Sequence, residues 1–242
     1  MKKVLMVVGA SSEMGMASIE ALHERYDYII AHYFHMSERL QRLKEVLGKK
    51  IYCINADLSE ETQIEKFIRD TSATGLIPTH ILHFPAHQIK IQKFHKISVE
   101  TFEKSYSISV KSLIQILQYY LPKMTKNRGG KVLIILSYVL QGMPPKYSAD
   151  YVITKYSLLG LVKSLAVEYA DKNITVNGIS PGCTETKFIK EMNEYIIEEN
   201  AKASPIGRNL KVDDIVPTIE YMLSDGANYI NGENIFITCG RG

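Results

Sequence analysis

Short apolar runs alternate with helical patterns along the whole chain, and this alternation is the feature that most constrains the fold. The first run, Val4–Val8, is continuous and rich in β-branched residues, as expected for a strand covered on both faces. Further strands are predicted at 28–33, 51–55, 80–84, 132–136, 173–179 and 234–238. Because helices separate the strands and no linker or repeat interrupts them, residues 1–242 are expected to form a single α/β domain. Its fold would be a doubly wound parallel sheet of about seven strands with helices on both faces.

The composition narrows the class of protein. The chain has 242 residues, of which 45% are hydrophobic and 23% charged, and its formal net charge is +3 without a basic block. These values are typical of a globular protein and favour neither a nucleic-acid nor a membrane partner. The three cysteines form no C-x-x-C pair, and the apolar run after Met1 is too short for a secretory signal. We therefore expect reduced thiols and a cytoplasmic location.

A glycine-bearing turn over residues 9–15 joins the first strand to the first helix. Such a turn can place a dinucleotide pyrophosphate on the N–H groups of the helix N-terminus, and glycine allows the phosphate to approach the backbone. Glu13 stands where a third glycine would be expected, and its charge would repel a phosphate if the side chain pointed inward. A plain tight turn is the alternative. The residues assigned to the cofactor here are Gly9, Ser11, Ser12, Met14 and Gly15.

The residues at the end of the second strand indicate whether NAD(H) or NADP(H) is the preferred cofactor. An acidic residue at this place usually holds the ribose 2′-hydroxyl of NAD. Here no carboxylate occurs before Glu38, which favours NADP(H) over NAD(H). His35 is a candidate partner of the 2′-phosphate. Ser37 and Arg39 are further candidates, although Arg39 could equally be a solvated helix residue.

The turns after the third and fourth strands are also candidates for cofactor contacts. Asp57, followed by Leu58, could accept a hydrogen bond from the adenine amino group or could cap the next turn. The pair Pro85 and Ala86 closes the fourth strand. Two histidines, at 83 and 87, flank this strand end. A proline separates them and neither a carboxylate nor a cysteine lies nearby, so no metal site is predicted.

Tyr151 and Lys155 lie four residues apart in a helical pattern, which places them on one face of the helix. A free phenol has a pKa of about 10 and is a poor acid at neutral pH, but a nearby positive charge lowers that pKa. The pair is therefore a candidate proton donor and acceptor, with a plain surface pair as the alternative. Ser137 follows the fifth apolar run, and the carboxyl ends of such strands are where ligands bind.

Taken in order, these motifs resemble those of the short-chain dehydrogenase/reductase family over nearly the whole chain. The matching pieces are Gly9-Ala10-Ser11-Ser12-x-x-Gly15, Asp57-Leu58, Ser137, Tyr151-x-x-x-Lys155, Asn177-x-x-x-Pro181-Gly182-x-x-x-Thr186 and the terminal strand. The resemblance implies a Rossmann-type fold that binds NAD(P). It also implies that Tyr151 protonates a carbonyl oxygen as hydride arrives and that Ser137 hydrogen-bonds this oxygen. Lys155 is implied to lower the Tyr151 pKa and to hold the nicotinamide ribose.

Further roles and departures follow from the same resemblance. The residues assigned to the nicotinamide side of the cofactor are Pro181, Gly182, Thr184 and Thr186. Ser109 takes the place of a family asparagine that holds a water for proton relay, and residues 83–86 replace the family's Asn-Asn-Ala-Gly. Ser137 lies one residue farther before Tyr151 than is usual, and the alternative alignment puts Tyr138 in its place.

Within the family, the resemblance is to 3-oxoacyl-[acyl-carrier-protein] reductases. It implies NADPH-dependent reduction of a small-molecule carbonyl, free or bound to a carrier protein, and a homodimer or homotetramer built on the helices at 98–124 and 148–170. The basic candidates for contact with a carrier protein are Lys90, Lys93, Lys96 and Arg128. Residues 187–206 are expected to be a mobile segment over the mouth of the site. Because Glu13 and Ser109 depart from the family pattern, a weakly active or inactive dinucleotide-binding sensor is the alternative.

Overall fold

The computed structural model describes residues 2–127, 129–190 and 192–240. Within these residues the strands are β1 (Val4–Val8), β2 (Tyr28–Tyr33), β3 (Ile51–Asn55), β4 (His80–His83), β5 (Gly130–Ile135), β6 (Ile174–Pro181) and β7 (Asn234–Ile237). They form one parallel sheet in the order β3-β2-β1-β4-β5-β6-β7. The predicted fold class, a doubly wound parallel sheet of the Rossmann type, is confirmed, and every strand boundary agrees with its prediction within two residues.

Helices cover both faces of this sheet. They are α1 (Glu13–Leu22), α2 (Glu38–Leu47), α3 (Glu61–Ala73), α4 (Val99–Tyr106), α5 (Ser112–Lys126), α6 (Ala149–Glu168), α7 (Glu194–Ala203) and α8 (Val216–Met222). Alternate residues of β1 enter two different apolar clusters. Val4, Met6 and Val8 pack on the side of α3, α5 and α6, whereas Leu5 and Val7 pack on the side of α1, α2 and α8. This burial on both faces explains why the strand has a continuous apolar sequence.

Two predicted helices are divided in the structure. The long pattern over 98–124 becomes α4, a π-helical segment at Ser107–Lys111 and then α5. A π turn accommodates one extra residue, and this one contains neither glycine nor proline to mark it in the sequence. The last helix, predicted over 212–223, starts as a 3₁₀ turn and continues as α8, with Pro217 in the first turn, where its missing N–H costs no helical bond.

The segment 187–206 contains a 3₁₀ turn at Lys187–Ile189 and α7.

None of the helices in the described part of the chain is both long and apolar enough to cross a membrane.

The order of the strands reverses between β1 and β4. At such a switch point the carboxyl ends of neighbouring strands open a crevice. Here it brings the turn at 9–15, the loop after β4, Ser137 and the segment after Pro181 to the same edge of the sheet.

Candidate active site

A crevice of about 690 Å³ lies at this edge of the sheet. Its walls come from the turn before α1, the loop after β4, the start of α6 and the segment that follows β6. The structure places most of the predicted site residues in its lining: Gly9, Ser11, Ser12, Met14, Pro85, Ala86, Ser137, Tyr151, Lys155, Pro181, Gly182, Thr184 and Thr186. Residues from five separate parts of the sequence therefore converge on one cavity.

The turn at 9–15 is held by Ser12, which is the N-cap of α1. The Ser12 hydroxyl donates to the Gly9 carbonyl oxygen at 2.7 Å and accepts from the Gly15 N–H at 3.0 Å. Gly9 has a φ of +83°, a conformation that favours glycine. A Cβ on Gly15 would lie 2.5 Å from the Gly9 oxygen, so Gly15 lets the helix pack against the turn rather than lining the crevice.

Glu13 turns toward the segment that leaves β6. Its Oε2 accepts a hydrogen bond of 2.7 Å from the backbone N–H of Lys187. The contact joins the start of α1 to the start of the 187–206 segment, and both residues line the crevice. In the sequence Glu13 is only a local departure from a glycine pattern, and its contact with Lys187 was not predicted because the two residues are 174 positions apart.

Tyr151 and Ser137 form the polar centre of the crevice. Tyr151 is 9% exposed and Ser137 is 5% exposed. Burial raises the pKa of Tyr151 to about 12, and a hydrogen bond with Ser137 acts in the opposite direction. The phenol is therefore protonated at neutral pH, which is the form that can donate a proton.

Lys155 lies one turn beyond Tyr151 on α6. Its Nζ donates to the carbonyl oxygen of Ile135 at 2.8 Å and lies 5.4 Å from the centre of the Tyr151 ring. Burial lowers the pKa of Lys155 to about 7. Tyr151 and Lys155 therefore lie side by side on α6, as the sequence predicted, and the Lys155 amino group is hydrogen-bonded to the end of β5.

The direction of the Tyr151 pKa shift corrects one expectation from the sequence. Lys155 was expected to lower this pKa, whereas in the structure the pKa is raised and Ser137 is the group that lowers it. The physical reason is burial, which disfavours the phenolate and also disfavours the charged form of Lys155. A lysine whose own charge is destabilised is a weak source of positive potential for its neighbour.

The structure also distinguishes Ser137 from Tyr138. The Tyr138 hydroxyl donates to Asn200 Oδ1 of α7 at 3.3 Å, whereas Ser137 is the group that lowers the pKa of Tyr151. Ser137 is the N-cap of a 3₁₀ turn at Tyr138–Leu140, and Gly142 follows with a φ of +63°. Both features lie in the stretch that contains the extra residue before Tyr151, and the choice of Ser137 stays a prediction.

Four other predicted site residues lie outside the lining of the crevice. His35 is exposed and its ring packs on Phe34 with 4.0 Å between the centroids. Asp57 Oδ1 accepts from the N–H and the hydroxyl of Ser59 at 2.8 and 2.7 Å, so it caps the next turn, which is the alternative the sequence left open. Leu58 is buried, at 4% exposure. The fourth, Ser109, is in the π-helical segment and is 1% exposed.

Ser109 contacts His83, and this pairing was not predicted. His83 Nε2 lies 3.0 Å from the Ser109 carbonyl oxygen, so Nε2 carries the hydrogen. His83 is fully buried, and burial lowers its pKa to about 3. Two positions that depart from the family pattern therefore meet in space, 26 residues apart in the sequence.

Comparison with known proteins gives the family. A family model described as enoyl-(acyl carrier protein) reductase matches residues 9–241. The chain belongs to the short-chain dehydrogenase/reductase family. Relatives include a 3-oxoacyl-[acyl-carrier-protein] reductase of Rickettsia conorii, 28% identical over 239 residues, which are 98% of this chain and 96% of that protein. An NADPH-dependent aldehyde reductase-like protein of Arabidopsis thaliana is 25% identical over 253 residues, covering 98% and 93%.

Solved structures show the same fold. A short-chain dehydrogenase/reductase from Serratia marcescens has a TM-score of 0.87 at 22% identity, with 97% of this chain and 96% of that chain covered. A putative gluconate dehydrogenase from Agrobacterium tumefaciens has a TM-score of 0.88 at 19% identity, covering 99% and 95%. This short-chain dehydrogenase/reductase is therefore an NAD(P)-dependent oxidoreductase, as its sequence motifs indicated.

The residues at the crevice fit a nicotinamide dinucleotide. The N–H groups in the first turn of a helix have no acceptor within the helix, and the first turn of α1 lines the crevice. A Cβ on Gly9 would come within 3.2 Å of the Phe84 Cβ and 3.3 Å of the Pro85 Cδ, so glycine at this position lets the loop after β4 pack closely against the turn.

Proposed function

We propose that this short-chain dehydrogenase/reductase uses NADPH to reduce the carbonyl group of a substrate with an apolar chain, with Tyr151 as the proton donor. The observation that carries the proposal is that the buried side chains of Tyr151 and Ser137 line the same crevice as the turn before α1. Hydroxyl groups arranged in this way can both donate to one substrate oxygen.

The proton step follows from this geometry. A dinucleotide bound in the crevice would supply a hydride to the carbonyl carbon. As negative charge develops on the carbonyl oxygen, Ser137 donates a hydrogen bond to it and Tyr151 transfers its phenolic proton. Lys155, whose pKa is about 7, is half protonated near neutral pH and can return a proton toward the phenolate.

The residues that hold the dinucleotide come from both ends of the crevice. We assign the pyrophosphate to the turn at 9–15, the nicotinamide to the 181–186 segment and the nicotinamide ribose to Lys155. A preference for NADPH is supported by the absence of a carboxylate between the end of β2 and Glu38. Arg39 is paired with Glu20 on α1, at 2.8 Å from Nε to Oε1, so its charge is partly neutralised. Ser37 lines the crevice, whereas His35 and Arg39 do not, so we assign Ser37 to the 2′-phosphate end.

The lining beside Tyr151 supports a substrate with an apolar chain. The Phe188 ring lies 6.2 Å from the Tyr151 ring, centre to centre. Other apolar side chains of the lining are Ile89, Ile91, Val139, Ile189, Met192 and Ile196. We therefore favour 3-oxoacyl thioesters or related ketones. The proposed contacts for a carrier protein are three exposed lysines of the loop after β4, Lys90, Lys93 and Lys96. The fourth basic candidate, Arg128, lies outside the described residues.

The experiment combines dinucleotide titration with turnover assays on 3-oxoacyl thioesters of increasing chain length and on simple ketones. We expect tighter binding of NADPH than of NADH. We also expect kcat/KM to rise about fourfold per added methylene until the crevice is filled, because each buried methylene contributes about 0.8 kcal/mol. Tight NADPH binding without turnover on any substrate would instead favour a dinucleotide sensor. Tighter binding of NADH would refute the cofactor preference alone.

A further inference from the structure

His32 joins the turn that follows β1 to the turn that follows β3. It is the penultimate residue of this strand and is 3% exposed. Its Nδ1 accepts a hydrogen bond of 3.1 Å from the Gly9 N–H, and its Nε2 lies 3.0 Å from the Ala56 carbonyl oxygen. Because one partner is a donor and the other an acceptor, the ring is neutral and carries its hydrogen on Nε2.

The backbone of His32 adds a third contact. Its carbonyl oxygen accepts from the Ala10 N–H at 2.7 Å. These bonds are possible because β2 lies between β1 and β3, so that a side chain at its carboxyl end reaches the turns that follow both neighbours. Phe67 of α3 packs edge-on against the imidazole, with 5.2 Å between the ring centres, and fixes its orientation. Burial lowers the pKa of His32 to about 4, which keeps the ring neutral near pH 7.

We propose that His32 is a positioning residue that locks the turn at 9–15 and the turn at 56–58 in one relative arrangement and thereby sets the affinity for the dinucleotide. The inference rests on the proposed function, because NAD(P)(H) is the ligand it concerns. His32 does not line the crevice, so it acts through Gly9 and Ala56. Without the Nδ1 acceptor, the Gly9 N–H would lose its partner and the turn would move to find another.

Conservative substitutions can separate the two bonds. An asparagine places its carbonyl oxygen close to the position of Nδ1 and can still accept from Gly9, but it is too short to reach Ala56. A glutamine places its amide nitrogen near the position of Nε2 and can still donate to Ala56, but it leaves the Gly9 N–H unpaired. A leucine of similar size removes both bonds. The variants His32→Asn, His32→Gln and His32→Leu therefore form a matched series.

The test measures the Kd of NADPH by calorimetry, the hydrogen exchange of peptides covering 9–15 and 54–58 without ligand, and the thermal unfolding midpoint. We expect His32→Asn to bind NADPH within about threefold of the wild type and to exchange faster only at 54–58. His32→Gln should bind about tenfold more weakly and exchange faster at 9–15, since the loss of one hydrogen bond corresponds to roughly this factor. At saturating NADPH, kcat and the KM for the carbonyl substrate should remain within about twofold in both.

Two results would overturn the inference while leaving the proposed function intact. One is wild-type affinity for NADPH in a folded His32→Leu variant. The other is an equal loss of affinity in His32→Asn and His32→Gln that follows their unfolding midpoints, which would mean that His32 serves stability only. A wild-type protein that binds neither NADPH nor NADH would refute the proposed function, and with it the ligand of this inference.

Discussion

The carboxylate of Glu13 accepts a hydrogen bond of 2.7 Å from the backbone N–H of Lys187 and so connects the first turn of α1 to the segment that follows β6. The position lies where a dinucleotide pyrophosphate is proposed to rest. Glu13 thus has two opposing effects. Its charge stabilises the N-terminus of α1 and repels a phosphate, while its oxygen holds the start of the 187–206 segment.

Glu13→Gln keeps an acceptor for Lys187 and removes the charge. We predict that this variant binds NADPH about two- to fivefold more tightly, the size expected for one partly exposed charge. Calorimetric titration at low and high salt checks it, because salt screens the repulsion and should reduce the difference. Glu24→Gln, at an exposed position just beyond α1, is the matched control and should have no effect. Unchanged affinity of Glu13→Gln at low salt would show that the carboxylate does not act on the phosphate.

Ser137→Ala and Tyr138→Phe should affect different kinetic constants. Removing the Ser137 hydroxyl deletes one donor to the developing oxyanion and the group that lowers the Tyr151 pKa, so kcat should fall about 10²–10³-fold. Tyr138→Phe breaks the contact with Asn200 of α7 and should mainly raise the KM for the carbonyl substrate. Steady-state kinetics at saturating NADPH distinguishes the two. A larger fall in kcat for Tyr138→Phe would favour the alternative alignment.

The low pKa of Lys155 predicts a pH-dependent cost to stability. Its folded pKa of about 7 lies below the ordinary value of 10.5, so the cost of burying the cation is fully present below pH 7, falls steadily as pH rises from 7 to 10.5, and is gone above 10.5. Lys155→Met should therefore stabilise the fold by a few kcal/mol at pH 6 and by much less at pH 9.5. Urea unfolding at both pH values checks this. Lys163→Met, at an exposed position on the same helix, is the control, and equal effects of Lys155→Met at both pH values would contradict the prediction.

Two kinds of feature could be predicted from the sequence: the repeated pattern of strands and helices, and helix ends that depend on neighbouring residues. The continuous apolar run Val4–Val8 predicts the bounds of β1 correctly. A strand buried on both faces of a parallel sheet has such a run. The caps Ser37 and Ser98 likewise mark the starts of α2 and α4, since each hydroxyl accepts from an N–H three residues later. The order of the turns along the sheet then places most crevice residues correctly.

Contacts between distant parts of the chain were not predictable in the same way. The partners of His32 and His83 are set by which strands and helices become neighbours in the fold, and the sequence does not show this. The π-helical segment at Ser107–Lys111 carries no local signal. The direction of the pKa shift of Tyr151 depends on how deeply the phenol is buried, and the sequence spacing from Lys155 does not reveal this burial.

The decisive experiment is to compare Tyr151→Phe with the wild type in both NADPH affinity and the rate of NADPH-dependent carbonyl reduction. Phenylalanine keeps the ring and removes only the hydroxyl group that donates the proton, so the rate should fall about 10²–10⁴-fold while the Kd of NADPH stays within about twofold. Tyr156→Phe, an exposed tyrosine on the same helix, should retain both. A Tyr151→Phe enzyme that reduces substrate at the wild-type rate would contradict the assignment of Tyr151 as the proton donor, as would one that loses NADPH binding and rate in equal measure.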